Sequence, residues 1–434
     1  GAINITGGTL ASTNGGLEII TSTVKATSGA INITGNASQS WGFYIRSTSK
    51  IQSTSGAITI IGNAPSGVWG GHLGAVDVIS TSGAITVDGK TSYGISAGYT
   101  ATTNIGAVSP ATSSSNVQMI GNVYSDSNSS AVKYRTTGNV VIESTGTAFS
   151  LAPTINTNTF DGNASVRIGK STNTTAVTVT GSANIVGDYE VYGAAITQTA
   201  PVTTSSGDIT FTGAGAFSNS GALNAGGGLY ITGATTLSAT GAWTTNAALD
   251  VSATGNISTG SVAAITVNTG YMSLVSSGGT VTIGDDTTVP GNITLTGTGV
   301  TISQPVASST GSVTVTASTG AVSVAGNVSA ATLVSISPKT TYSGAGSLTA
   351  SSGTLTISGG TSVAPTGTLL ASGNVTISGS GAITNTGATI TSSSGTVSVT
   401  STGSSISLGS AVSGSVVRML PNTTYDGAGS LTAS

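Results

Sequence analysis

The chain has 434 residues, of which 64 are glycine, none is cysteine and 5% are charged, with a formal charge of −3. That balance offers no electrostatic footprint for nucleic acid, excludes disulfides and thiolate metal sites, and with abundant Val, Ile and Ala excludes a disordered chain. No apolar run approaches the roughly 18 residues of a membrane-crossing helix, and the aromatics form no girdle of a membrane barrel, so the chain is not expected to span a membrane.

From the N-terminus the signature is Gly-Ala-Ile, at Gly1-Ala2-Ile3, Gly29-Ala30-Ile31, Gly56-Ala57-Ile58 and Gly83-Ala84-Ile85. A period of about 27 residues marks stacked supersecondary units. Ile31/Ile33, Ile58/Ile60 and Ile85/Val87 share one side of an extended strand, while Asn32, Thr59 and Thr86 share the other. In register they predict an aliphatic ladder inside and a polar ladder outside. Gly35, Gly62 and Gly89 are expected to close each strand at a corner, through positive φ or lack of room for Cβ. The aromatics Trp41, Phe43, Tyr44, Trp69, Tyr93 and Tyr99 follow these glycines, where corners and loops belong. Exposed, they would stack on glycans or on a neighbouring subunit; turned inward, they would fill a wide core, and core or subunit contact is the favoured reading. The single histidine, His72 in VWGGHLG, reads as a loop residue.

The same phase continues through Val117, Val140, Val166 and Tyr189 in wide, uneven steps, and from Ile209 to Val417 in shorter, regular ones. This divides the chain into a segment 1–108, with the widest coils and loops, 109–200, an irregular continuation, and 201–434, with regular coils. Within the last part Val334–Ser351, VSISPKTTYSGAGSLTAS, returns at a constant displacement as Val417–Ser434, VRMLPNTTYDGAGSLTAS, a super-repeat of four coils. Tyr342 and Tyr425 are expected to stack at equivalent corners. Gly, Ser, Thr and Val dominate with no sustained 3.6-residue period, which excludes helix. The fold class expected is all-β: a right-handed parallel β-helix, or β-solenoid, with wider N-terminal coils of about 27 residues and slimmer C-terminal coils of about 21. Nineteen coils about 4.8 Å apart would stack to about 90 Å. Open sheet edges at the ends call for a cap or a neighbour, and neither terminal sequence resembles a polar cap, so continuation or end-to-end assembly is expected.

Residues with chemical capacity are few. Asp188 and Glu190 flank Tyr189 in GDYEVYG and would project to one face of a strand. Asp285-Asp286 in IGDDTTVPGN resembles the paired aspartates of polygalacturonases, but Gly-His-Gly and Arg-x-Lys partners are missing. Both pairs therefore read as a strand edge and an Asp-rich turn rather than glycosidase carboxylates. Gly89-Lys90-Thr91 and Gly169-Lys170-Ser171 end like phosphate loops but lack the earlier glycine, and read as corners. Residues 171–338 carry six acidic residues and no basic one, without a ligand cluster for a cation. Asn-x-Ser/Thr sequons recur, as at Asn32 and Asn374, as Asn- and Thr-rich repeats generate them. Outward Thr-x-Thr pairs such as Thr294/Thr296 and Thr314/Thr316 fit an ice-binding array, but Ser, Ala and Asn interrupt them and threonine suits strands in any case. No catalytic, metal or cofactor site is expected, and no enzyme.

Repeats such as GNVTISGSGAITNTGATITSSSGTVSVTSTGSSISLG, Gly373–Gly409, resemble the filamentous-haemagglutinin-like large exoproteins and adhesin passengers of bacteria, and run through most of the chain. That family's Asn-Pro-Asn secretion motif does not occur. The resemblance implies an exported surface fibre or stalk associated with adhesion. Sparse charge adds a tendency to self-associate. The expected function is an extracellular or cell-surface structural protein, a fibre, sheath or surface-layer subunit whose partner is itself. The alternative is a monomeric adhesin stalk binding glycans or another cell through its N-terminal aromatics, with Trp41 and Trp69 foremost.

Overall fold

The computed structural model describes residues 1–10, 15–64, 68–90, 93–98, 102–108, 111, 113–125, 132–155, 159–260, 264–427 and 429–433. No helix occurs among them. Each coil contributes three strands, for example Ile31–Ala37, Phe43–Arg46 and Lys50–Ser53, or Thr354–Ser358, Ser362–Pro365 and Leu369–Ala371. Each strand pairs in parallel with the equivalent strand of the next coil, giving a first, second and third sheet. The fold is thus a parallel β-solenoid. Its contacts divide it into two units, Gly1–Gly227 and Gly228–Ser434.

In the first unit the first sheet runs Ile3, Ile31, Ile58, Ile85, Val117, Val140, Val166, Tyr189 and Ile209, each residue opposite the next. In the second it runs Leu229, Leu249, Met272, Ile293, Val313, Val334, Leu355, Val375, Val397 and Val417. These are the residues that periodicity placed in one phase. Inside, Ile31, Ile58 and Ile85 are 0% exposed, as are Val334, Leu355 and Val375. Each fully buried aliphatic of this kind contributes about 1.5–3 kcal/mol relative to exposure.

Stacking supplies that burial. Tyr342 and Leu348, for example, are 1% and 0% exposed between two coils. Tyr342 and Tyr425 occupy equivalent strands of the second sheet, Thr341–Gly344 and Tyr425–Gly427, four coils apart, and not the corners expected. The largest core side chains of the first unit are aromatic, including Tyr134 stacked on Phe160 at 5.2 Å.

Corners are built from a buried serine three residues before a glycine. Ser53 Oγ accepts from the Gly56 N–H at 2.9 Å and donates to the Gly29 carbonyl of the preceding coil at 3.4 Å. The hook recurs at Ser80, Ser276, Ser308 and Ser392. Gly56 is required here because a Cβ would stand 2.0 Å from the Gly29 carbonyl oxygen. Gly35 and Gly62 differ from expectation. They lie within the strands Ile31–Ala37 and Ile58–Asn63, without positive φ. Their lack of Cβ makes room for the carbonyl oxygens of Gly42 and Gly70, each of which a Cβ would meet at 1.8 Å. Gly89, one residue past Ile85–Asp88, also lacks positive φ.

Candidate functional site

Trp41, Phe43, Tyr44, Trp69 and Tyr93 lie on or just before strands of the second sheet, Phe43–Arg46, Gly71–Gly74 and Ile95–Ala97. Leu17, Phe43, Gly71 and Ile95 stand opposite one another on successive coils. Phe43 alternates inward and is 0% exposed, so it offers no contact surface. Its ring lies over Gly71, where a Cβ would come within 1.9 Å of Phe43 Cζ. A large side chain on one coil thus fills a hole left on the next.

Two residues before these strand positions stand Trp41, Trp69 and Tyr93, one per coil. Trp41 stacks on Trp69 at 6.1 Å and 12°, and Trp69 meets Tyr93 at 6.0 Å. The tryptophans are half-buried and cover one face of each other, while Tyr93 is 37% exposed. Tyr99 lies outside the described residues. Tyr44 and His72 face outward in register. Trp41 and Tyr44 close over the imidazole at 5.0 and 4.7 Å, leaving His72 2% exposed. His72 is therefore part of a strand, Gly71–Gly74, and not of a loop. Burial, and secondarily the Arg46 cation, lower its pKa to about 4. The Arg46 guanidinium sits 4.8 Å from the Tyr44 ring centroid and 3.4 Å from Glu18. This surface is a packed, partly exposed aromatic row with a neutral imidazole beneath it.

The carboxylate pairs are placed differently from a catalytic dyad. Asp188 and Glu190 do lie on one side, but Asp188 Oδ1 accepts the Asp208 N–H at 2.9 Å and Glu190 accepts the Tyr192 hydroxyl at 3.4 Å. Glu190 stands opposite Arg167, which itself bonds Glu143 at 3.0 Å. Burial, then the Glu190 charge, raise the Tyr192 pKa. Asp285 is buried and Asp286 exposed, so adjacent aspartates point to opposite sides of the wall. Lys170 Nζ donates to the Gly146 carbonyl at 3.1 Å and Gly169 has φ +82°, as befits a corner. Thr91 of the other Gly-Lys-Thr sequence lies outside the described residues. A hollow of about 240 Å³ on the first sheet is lined by Thr86, Asn116, Gln118, Asn139 and Val141. Its amides are engaged in bracing: Asn116 Oδ1 accepts the Asn139 N–H, and Gln118 donates to Glu143. Among the described residues no group of three or more His, Cys, Asp or Glu side chains is placed to hold a metal.

What sequence reasoning missed is this bracing. Besides the serine hooks, the asparagines that begin sequons at Asn256, Asn292, Asn327 and Asn374 accept backbone N–H groups of Thr280, Ser312, Ser347 and Thr396 on the next coil. The repeated Ser-x-x-Gly and the Asn just before a strand were the available signals. No family model, curated protein or solved structure matches the chain.

Proposed function

We propose that this protein is a structural component of an extracellular fibre, sheath or surface layer, built from copies of itself. The observation that carries the reading is the use made of polar side chains: serine hooks and asparagine brackets bond one coil to the next at Ser276, Ser308, Asn256 and Asn292, among others. Such bonds, with the backbone ladders and the aliphatic stack, resist extension and shear across the coils. Its function is mechanical. The absence of cysteine, the sparse charge and the resemblance to bacterial exoproteins support a place outside the cell. Electron microscopy of native material released without heat or denaturant tests this. Continuous filaments or sheets with a regular repeat are expected; separate particles at every concentration would overturn the assembly reading.

A second reading rests on the half-exposed row of Trp41, Trp69 and Tyr93: adhesion to a glycan through this edge. It predicts glycan-array signals lost in a Trp41→Ala/Trp69→Ala variant that retains the parent melting temperature. An array without signal removes it.

A further inference from the structure

On the outer side of the first sheet of the second unit, one column of side chains runs coil by coil from Tyr230 to Asp250 and on through Ser273, Thr294 and Thr314 to Ser335. It continues through Ser and Thr only to Arg418, so that Asp250 and Arg418 each lie four coil steps from Ser335. A neighbouring column carries Thr296, Thr316 and Ser337 in the middle coils. Residues 228–434 contain only six charged residues, and two of them occupy these symmetric positions with opposite sign. Neither takes part in the ion pairs found among the described residues.

We infer that this face packs antiparallel against the same face of a second copy, about a two-fold axis through the Ser335 coil, with Asp250 of each copy meeting Arg418 of the other. The inference rests on the self-association proposed above and names its surface. A two-fold lying in the interface along the strand direction reverses the order of coils and keeps the column, so it brings each carboxylate to a guanidinium. A parallel arrangement would oppose like charges. Between the ends, the Ser and Thr side chains of the column are small and uncharged, flanked by Tyr271 and Leu333 on one side and Val275 on the other, and an isologous contact of this kind closes on itself. Eight coil steps of about 4.8 Å and strands about 16 Å long give roughly 600 Å² per copy. The total of about 1,200 Å² stands at the lower limit of specific interfaces. Affinity is therefore modest and depends on the end charges, so it falls with salt.

The chain has no cysteine, which makes single-cysteine cross-linking direct. With a bis-maleimide of about 10 Å reach, the spacing of facing sheets, Ser335→Cys is expected to link to itself. Ser398→Cys alone is expected not to link, but to do so when mixed with Ser273→Cys. Asp250→Lys and Arg418→Glu should each cut the Ser335→Cys yield about tenfold, and the two together should restore it, with unchanged melting temperatures. Assemblies by light scattering without the Ser335→Cys link, or charge reversals without effect, would overturn this surface and leave self-association standing. A monomer at all concentrations would overturn both.

Discussion

At the scale of the residue, burial decides what the few titratable groups do. His72 faces outward in its strand yet is closed off by Trp41 and Tyr44, and its pKa falls from 6.5 to about 4. Between those values the unfolded chain binds more protons than the folded one, so stability rises with pH through this window and is complete above it. The melting temperature is expected to fall on acidification from pH 6.5 to 4, and a His72→Gln variant should lose that part of the slope. An unaltered slope would show His72 to be charged or exposed in the fold. Tyr342 presents the converse case. Its hydroxyl is buried in the core without a hydrogen-bond partner among the described residues, and burial raises its pKa above the ordinary 10.0. Tyr342→Phe should therefore raise stability, by about 1 kcal/mol, since it removes an unsatisfied polar group. Above pH 10 the unfolded chain ionises while the fold keeps its proton, so the wild type loses stability there and the Phe variant is free of that dependence at this position. Denaturant titrations at pH 7 and pH 10.5 check both statements.

At the scale of the coil, register was legible and corners were not. First-sheet strands such as Ser312–Ala317 and Thr396–Ser401 are long enough to show alternation of period two, so Val313 and Val397 could be phased from sequence. The strands of the other sheets are often three residues, as in Leu369–Ala371, too short for a period to be seen. Corner position therefore went unread, and with it the division of the aromatics: Phe43 turns in over Gly71, whereas Trp41, two residues earlier, stacks outside. Gly35 and Gly62, expected to close their strands through positive φ or lack of room for Cβ, lie inside the strands without positive φ, and the crowding there comes from a corner of the coil and not from a turn at the glycine itself. These corners make sharp predictions. Ser276→Ala strands the Gly279 N–H and the Gly255 carbonyl, at a cost of about 1–3 kcal/mol. Gly56→Ala must push the Gly29 carbonyl aside and should cost at least as much, about 1–3 kcal/mol. Gly8→Ala, where a Cβ meets nothing within 4 Å, should change little. Equal melting temperatures for Gly56→Ala and Gly8→Ala would remove the close-packed corner from the account.

For the chain as a whole, cohesion comes from repetition of neighbour contacts rather than from charge, since only 5% of residues are charged. Folding stability should thus vary little with ionic strength while the Asp250–Arg418 contact between copies weakens. Repetition also predicts which pieces are dispensable. Because each coil bonds only to its neighbours, stability is close to a sum of local units and their interfaces. Deleting residues 334–416 joins Leu333 to Val417 and removes four coils, a unit whose two boundaries carry similar sequences. Val417 and Met419 then stand where Val334 and Ile336 stood, opposite Val313 and Val315, and every remaining side chain keeps its face. Removing one residue more, 334–417, shifts the last strand by one position and turns Arg418 inward and Met419 outward. The first deletion is expected to give a soluble protein with the parent's β circular-dichroism spectrum and a cooperative melt. The second should lose order in its last coil, seen as faster proteolysis after Leu333. If both behave alike, inward and outward alternation does not set the register of this wall, and the ladder of Val313, Val334 and Leu355 is a consequence of the fold instead of its cause.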